Sequence, residues 1–265
     1  MASFDAYFAP KKEIPPRVYL TVSVLVGVLV FGFWCLMAYS GWVRSDFLPT
    51  PVAVVQAGID GLQDGSLIRD TGVSVGEIMS GFILASIFAV PLGILMGSFK
   101  IFEAALEPVT NFVRYLPVSA LIPLLILWVG IGMSEKITVI FIGTFFQQLI
   151  IIADVSRGVS HDLLDVSYTL GASRRTVVTR VLIPATMPGV MDALRVTLGW
   201  AWTYLVVAEL VAANKGLGYF ILNSMRGLFT DRIFLGIAVI GLLGLLTDQL
   251  FKFMRSRLLP WTVVN

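Results

Sequence analysis

Residues 154–188 read DVSRGVSHDLLDVSYTLGASRRTVVTRVLIPATMP, the longest hydrophilic insertion between late apolar runs of the chain. The pattern predicts two short helices with a glycine break. Leu163, Val166 and Leu170 form an apolar arc, widened by Leu164 and Tyr168, while Asp162, Asp165 and Thr169 fall opposite, as an amphipathic helix requires. Gly171 can take the positive φ that ends such a helix, and Ser173 is placed to cap the next one, which Pro184 limits. An amphipathic helix outside a membrane has three destinations. It can lie on lipid headgroups, pack on the inner ends of its own protein, or seat in a groove of another protein.

On either side of this insertion the sequence is membrane-like. Of 265 residues, 57% are hydrophobic and only 14% charged, against about a quarter charged in soluble domains. Mean hydropathy is +0.88. A span needs about 20 apolar residues, and six candidates occur at roughly 19–40, 73–96, 106–129, 137–153, 187–212 and 233–254. The first run is longer than a signal-peptide core and lacks an obvious small-residue cleavage site, so an uncleaved span is expected. The fold class is therefore an all-α membrane protein with about six transmembrane helices. Residues 1–17 form an N-terminal segment, and 18–265 form one membrane domain that includes the loop at about 154–184.

Six spans put both termini on one side. Lys11, Lys12, Arg17, Lys100, Arg157, Arg174, Arg175, Arg180, Lys252, Arg255 and Arg257 then share a face, against Arg44, Arg69, Lys136, Lys215, Arg226 and Arg232 on the other. The excess predicts cytoplasmic N- and C-termini and a cytoplasmic insertion. The net charge of +2 gives no reason to expect a nucleic-acid partner. One cysteine, Cys35, excludes an intrachain disulfide, and with the single histidine, His161, it argues against a metal centre. No G-x-x-x-x-G-K-[ST] phosphate loop is present.

The insertion resembles the "EAA" signature of ABC importer permeases: E-A-A, three residues, G, nine residues, I-x-L-P. Asp165-Val166-Ser167, Gly171 and Val181-Leu182-Ile183-Pro184 keep the spacing, with Asp for Glu and Val-Ser for the two alanines. Leu48-Pro49-Thr50-Pro51 is similar to an LPSP element, and residues 74–82 are similar to S-L-x-R-V-L-x-G-F, with Glu77 at the usual Arg position. Residues 123–132 (PLLILWVGIG), Ala208-Glu209-Leu210 with Gly216-Leu217-Gly218, and Leu259-Pro260-Trp261 extend the likeness over most of the chain. Jointly they resemble the permeases of the nitrate/sulfonate/taurine/bicarbonate importers, nearer the sulfonate/taurine branch, with a type I (MetI-like) fold.

That resemblance implies a bacterial inner-membrane subunit working as a pair, and most simply as a homodimer. Its partners are ABC ATPase subunits, which hold the ATP and magnesium, and a soluble substrate-binding protein; the chain itself carries no cofactor. It also implies that Leu163, Leu164, Asp165, Ser167, Tyr168, Leu170, Gly171, Ala172 and Pro184 form the ATPase-coupling element.

Charges and breaks inside the apolar runs nominate a pathway. Glu77, Arg114, Arg195 and Glu209 lie in or beside spans, where an ionised group costs about 2.5–3.5 kcal/mol and turns toward protein or water. For Glu77 and Glu209, pairing within the bundle competes with a pathway role. Arg114 precedes Pro117, and either draws an anion or marks the inner end of a span. Pro117 and Pro123 can kink the run, which makes Tyr115, Ser119 and Trp128 pathway candidates beside Arg114; Thr197, Trp200 and Glu209 join them from the fifth span. After Glu209, the stretch 212–218 breaks the helix into a turn and a short re-entrant or surface helix. Two rivals remain: a stand-alone secondary transporter or channel, which needs no nucleotide, and a membrane-embedded enzyme, for which no His or Ser/His cluster is present.

Overall fold

A computed structural model describes residues 14–262, so most of the N-terminal segment assigned to 1–17 lies outside the described residues. The helices are α1 (Pro16–Tyr39), α2 (Pro51–Gln63), α3 (Ser66–Ser98), α4 (Lys100–Val113), α5 (Val118–Val129), α6 (Met133–Arg157), α7 (His161–Thr169), α8 (Arg174–Val177), α9 (Ile183–Ala212), α10 (Leu217–Arg226) and α11 (Thr230–Leu258). No strand occurs among the described residues. Helices α1, α3, α6, α9 and α11 are long and apolar enough to cross a bilayer.

The sixth pass follows from how α3 meets α6. Glu77 pairs with Lys136, and Gly81, Gly93 and Gly97 back onto Ile140, Ile152 and Ser156, always 59 residues apart. A constant separation means the two helices run parallel, so the chain between them must return across the bundle. Helices α4 and α5 make that return, meeting at a 96° bend. The single span expected over 106–129 is therefore two helices. Pro117 carries no donor and disfavours helical geometry at Leu116, so α4 ends at Val113 and α5 starts afresh from Pro117 as its N-cap. Pro123 lies within α5, which continues past it. Helix α4 is amphipathic and exposes Ile101, Phe102, Val109 and Phe112.

The α3–α6 seam is made by small residues at every fourth position of α3: Gly81, Ala85, Ala89, Gly93 and Gly97. The α6 positions in register are Ile140, Thr144, Gln148, Ile152 and Ser156, and all ten residues are buried or lie in the closest contacts. Lipid is as apolar as leucine, so helices in a bilayer associate through close packing, and small residues let the backbones approach. A Cβ on Gly93 would come within 2.8 Å of Ile152.

Helix α9 packs antiparallel against α6 through Gly143–Tyr204 and Gly189–Val155. Helix α11 is tied to α9 by Arg195–Asp248 and by Arg255 Nη1 to Asp192 Oδ1 at 2.5 Å. Helix α1 buries no residue. It is attached mainly by Trp34, whose indole donates to the Pro49 carbonyl at 3.1 Å and stacks on Phe234. Such a helix is suited to face lipid.

The helix predicted to stop at Pro184 does not stop there. Residues Val178–Leu182 form a π turn in which the Ile183 amide reaches the Val178 carbonyl, and α9 begins with Pro184 in its first turn. Proline is tolerated at that position because its missing donor leaves no helical bond unmade.

Candidate functional site

The insertion between α6 and α9 folds into α7, a glycine turn and α8 at one end of the bundle. Gly171 has φ +81°; its amide reaches the Tyr168 carbonyl at 2.9 Å and the Ala172 amide reaches Ser167 at 3.1 Å, the two bonds of a Schellman C-cap. Ser173 Oγ then accepts from the Thr176 amide at 3.3 Å and starts α8. The apolar surface of α7 is two faces rather than the one arc expected. At about 100° per residue, Leu164 and Tyr168 lie about 150° around the helix from Leu163, Val166 and Leu170. The first pair, Leu164 half-buried and Tyr168 48% exposed, lines a cavity of about 320 Å3 with His161, Phe99, Arg157 and Val177. The second set is exposed, Leu170 to 82%. Asp165 is also exposed, and the Ser167 hydroxyl is spent on the Leu163 carbonyl at 2.8 Å. Pro184 is not part of this group, because the π turn separates it from α7.

A second cavity, of about 380 Å3, opens where the α4–α5 bend meets α6 and α9. Arg114, Tyr115 and Ser119 line it, as expected, and Gln147, Thr203 and Tyr204 join them. Arg114 Nη2 donates to the Tyr115 hydroxyl at 2.8 Å, and the guanidinium lies 4.6 Å from that ring centroid. Four pathway expectations fall outside this cavity. Trp200 edges a smaller neighbouring hollow of about 200 Å3. Trp128 points outward from α5 with 71% exposure. Thr197 is buried, and its hydroxyl donates back to the Ala193 carbonyl at 2.9 Å.

Glu209, the fourth, is fully buried and caps another helix. The turn before α10 aims three amides at side chains from α3 and α9. Gly216 N donates to Asp70 Oδ1 at 3.2 Å, Leu217 N to Ser74 Oγ at 2.8 Å, and Gly218 N to Glu209 Oε2 at 2.5 Å. Ser74 Oγ in turn donates to Glu209 Oε1 at 2.5 Å. Free amides at a helix start favour negative charge, so Glu209 and Asp70 are held there. Beside them Lys136 Nζ pairs with Glu77 Oε1 at 3.2 Å, both buried, which answers the charge reversal at Glu77. Ser74 opens the stretch 74–82 that resembles the permease motif, and Asp70 precedes it by one helical turn, so the sequence places the two on one face without showing that they hold amides. No group of His, Cys, Asp or Glu able to hold a metal occurs among the described residues.

The family model described as the inner membrane component of binding-protein-dependent transport systems matches residues 89–260, which contain both cavities, the insertion and Glu209, while Asp70 and Ser74 precede the match. The chain belongs to this family. This ABC importer permease is 36% identical over 240 residues to a "Probable ABC transporter permease protein" of Brucella melitensis, covering 91% of this chain and 95% of the relative. It is 31% identical over 247 residues to the taurine transport system permease protein TauC of Escherichia coli, covering 91% and 90%. The permease has the MetI-type fold. It superposes on a chain of the inward-facing MetNI methionine ABC transporter with a TM-score of 0.59 at 19% identity, covering 72% of this chain and 96% of that one.

Proposed function

We propose that this permease is the membrane-crossing subunit of an ATP-driven importer for small organic anions of the sulfonate class, coupled through α7 to a separate ATPase. The observation that carries the reading is the divided surface of α7. One apolar face, Leu164 and Tyr168, lines the cavity beneath the helix, and the other holds Leu163, Val166 and Leu170 in the open at the end of the molecule. A short helix so tethered suits a groove in a second protein, where its apolar anchors are desolvated. The chain has no phosphate loop, so ATP and its magnesium belong to that partner. Closure of an ATPase pair would push two α7 helices and tilt two permease copies between inward- and outward-open states. The basic ends of α6, α8 and α11 gather on the α7 side, which supports placing that side and both termini in the cytoplasm. The α10 side then meets the substrate-binding protein that the family description calls for. The relation to TauC supports the sulfonate class.

Leu163→Asp combined with Leu170→Asp tests the reading, because both side chains are exposed and their loss leaves the bundle packing intact. We expect normal membrane insertion, loss of the ATPase on co-purification, and uptake lowered by about tenfold or more. Unchanged co-purification and unchanged uptake overturn the coupling role. Uptake by this chain alone, without nucleotide, would establish the channel or secondary-transporter reading instead.

A further inference from the structure

We propose that the cavity between α5, α6 and α9 binds the head of a small organic monoanion on Arg114, and that it selects against a cargo that also carries an ammonium group. Arg114 has no carboxylate partner among the described residues, whereas Glu77 is paired with Lys136, Arg195 with Asp248, and Glu209 with a hydroxyl and an amide. The buried Glu135 at the start of α6, whose two oxygens also lack a hydrogen bond, does not line this cavity. The Arg114 Nε is buried and makes no hydrogen bond. A partly buried cation without a counter-ion is costly, and a ligand's anionic group is the counter-ion this site lacks.

The cavity wall has one charged residue and no acidic one. Neutral groups complete its polar side: the hydroxyls of Tyr115, Ser119, Thr203 and Tyr204 and the amide of Gln147. Tetrahedral anionic heads such as sulfonates accept several hydrogen bonds at once, which suits a guanidinium fork flanked by hydroxyls. Ile142, Phe146 and Val207 also line the cavity and offer apolar surface for a short alkyl chain. An ammonium in the same space would find no carboxylate and would leave water uncompensated. The chemistry therefore favours a simple alkanesulfonate over a zwitterion such as taurine, even though taurine is in the name of one relative. The transport role of this site rests on the importer reading; its binding chemistry does not.

The test uses the full chain in nanodiscs of zwitterionic lipid, without a binding protein, titrated with propane-1-sulfonate, taurine and inorganic phosphate. We expect saturable binding of propane-1-sulfonate, with taurine and phosphate each weaker by about tenfold or more. Arg114→Gln lowers propane-1-sulfonate affinity by about tenfold or more, and Arg114→Lys, which keeps the charge but loses the fork, falls between. No saturable binding, taurine binding as tight as propane-1-sulfonate, or undiminished binding to Arg114→Gln each overturns the proposal. The taurine comparison uses the unaltered chain, so it decides the matter even where a variant folds poorly. Failure here leaves ATPase docking through α7 intact, and failure of that docking leaves Arg114-dependent binding in place.

Discussion

At the scale of single residues, the membrane interior makes each buried polar group a large effect. Glu77 and Lys136 are buried against one another on the α3–α6 seam. Removing one partner strands a charge, which costs about 3–5 kcal/mol where the site is dry. Lys136→Met should therefore lower thermal stability strongly in detergent or nanodisc melts. Charge exchange, Glu77→Lys with Lys136→Glu, should recover a substantial part of the loss, and no recovery would show that the pair is not a direct one. Gln148 is the opposite case. It is fully buried, and neither amide atom finds a partner. Replacing it with methionine, similar in length and without polar atoms, should raise stability by about 1 kcal/mol. A lower melting temperature in Gln148→Met would mean the amide has a partner after all.

At the scale of elements, the seam between α3 and α6 decides the bundle. Gly93→Leu and Gly97→Leu should each prevent folding, since any Cβ at Gly97 meets the Ala153 carbonyl and backbone cannot yield as a side chain can. Gly199→Leu is the control: nothing lies within 4 Å of a Cβ there, so the protein should still accumulate in membranes. Equal accumulation of the Gly93 and Gly199 variants would remove the seam from its organising place. The long spans were legible because twenty apolar residues in a row have few alternatives in water. The glycine turn at Gly171 and the cap at Ser173 were legible because each carries a local signal. The break at Pro117 was legible only as a kink, because sequence does not say whether a proline bends a helix or ends it. The seam was present as a four-residue repeat of small side chains, missed by hydropathy because a window average reports apolarity and not side-chain size or direction. The two faces of α7 escaped for a related reason: Leu164 and Tyr168 belong to the same helix as Leu163 and Leu170 but point elsewhere, and apolarity alone does not report direction.

At the scale of the whole molecule, the polar bonds around α10 join its two ends. Asp70 and Ser74 sit near the start of α3, and Glu209 near the end of α9. Together they hold three amides at the start of α10. Helix α3 runs from there to Gly97 and Ser98, where the Ser98 and Ser156 hydroxyls meet at 2.7 Å beside the cavity under α7. In the proposed importer, a displacement of α10 would be passed to helices that end beside α7, the kind of two-ended element that coupling between distant sites requires. Within that assembly, Ser74→Ala with Glu209→Gln should loosen α10 while leaving α7 and the glycine contacts of the α3–α6 seam in place. Two outcomes separate a coupling role from a merely structural one. If the cap only supports the fold, the variant loses stability, and basal ATP hydrolysis of the assembled complex falls together with uptake. If the cap transmits, basal hydrolysis is retained, while the stimulation of hydrolysis by the loaded binding protein falls by about tenfold, the range expected when a coupling free energy of 1–3 kcal/mol is removed. A variant with full stimulation and full uptake would show that α10 moves independently of the helices beneath it.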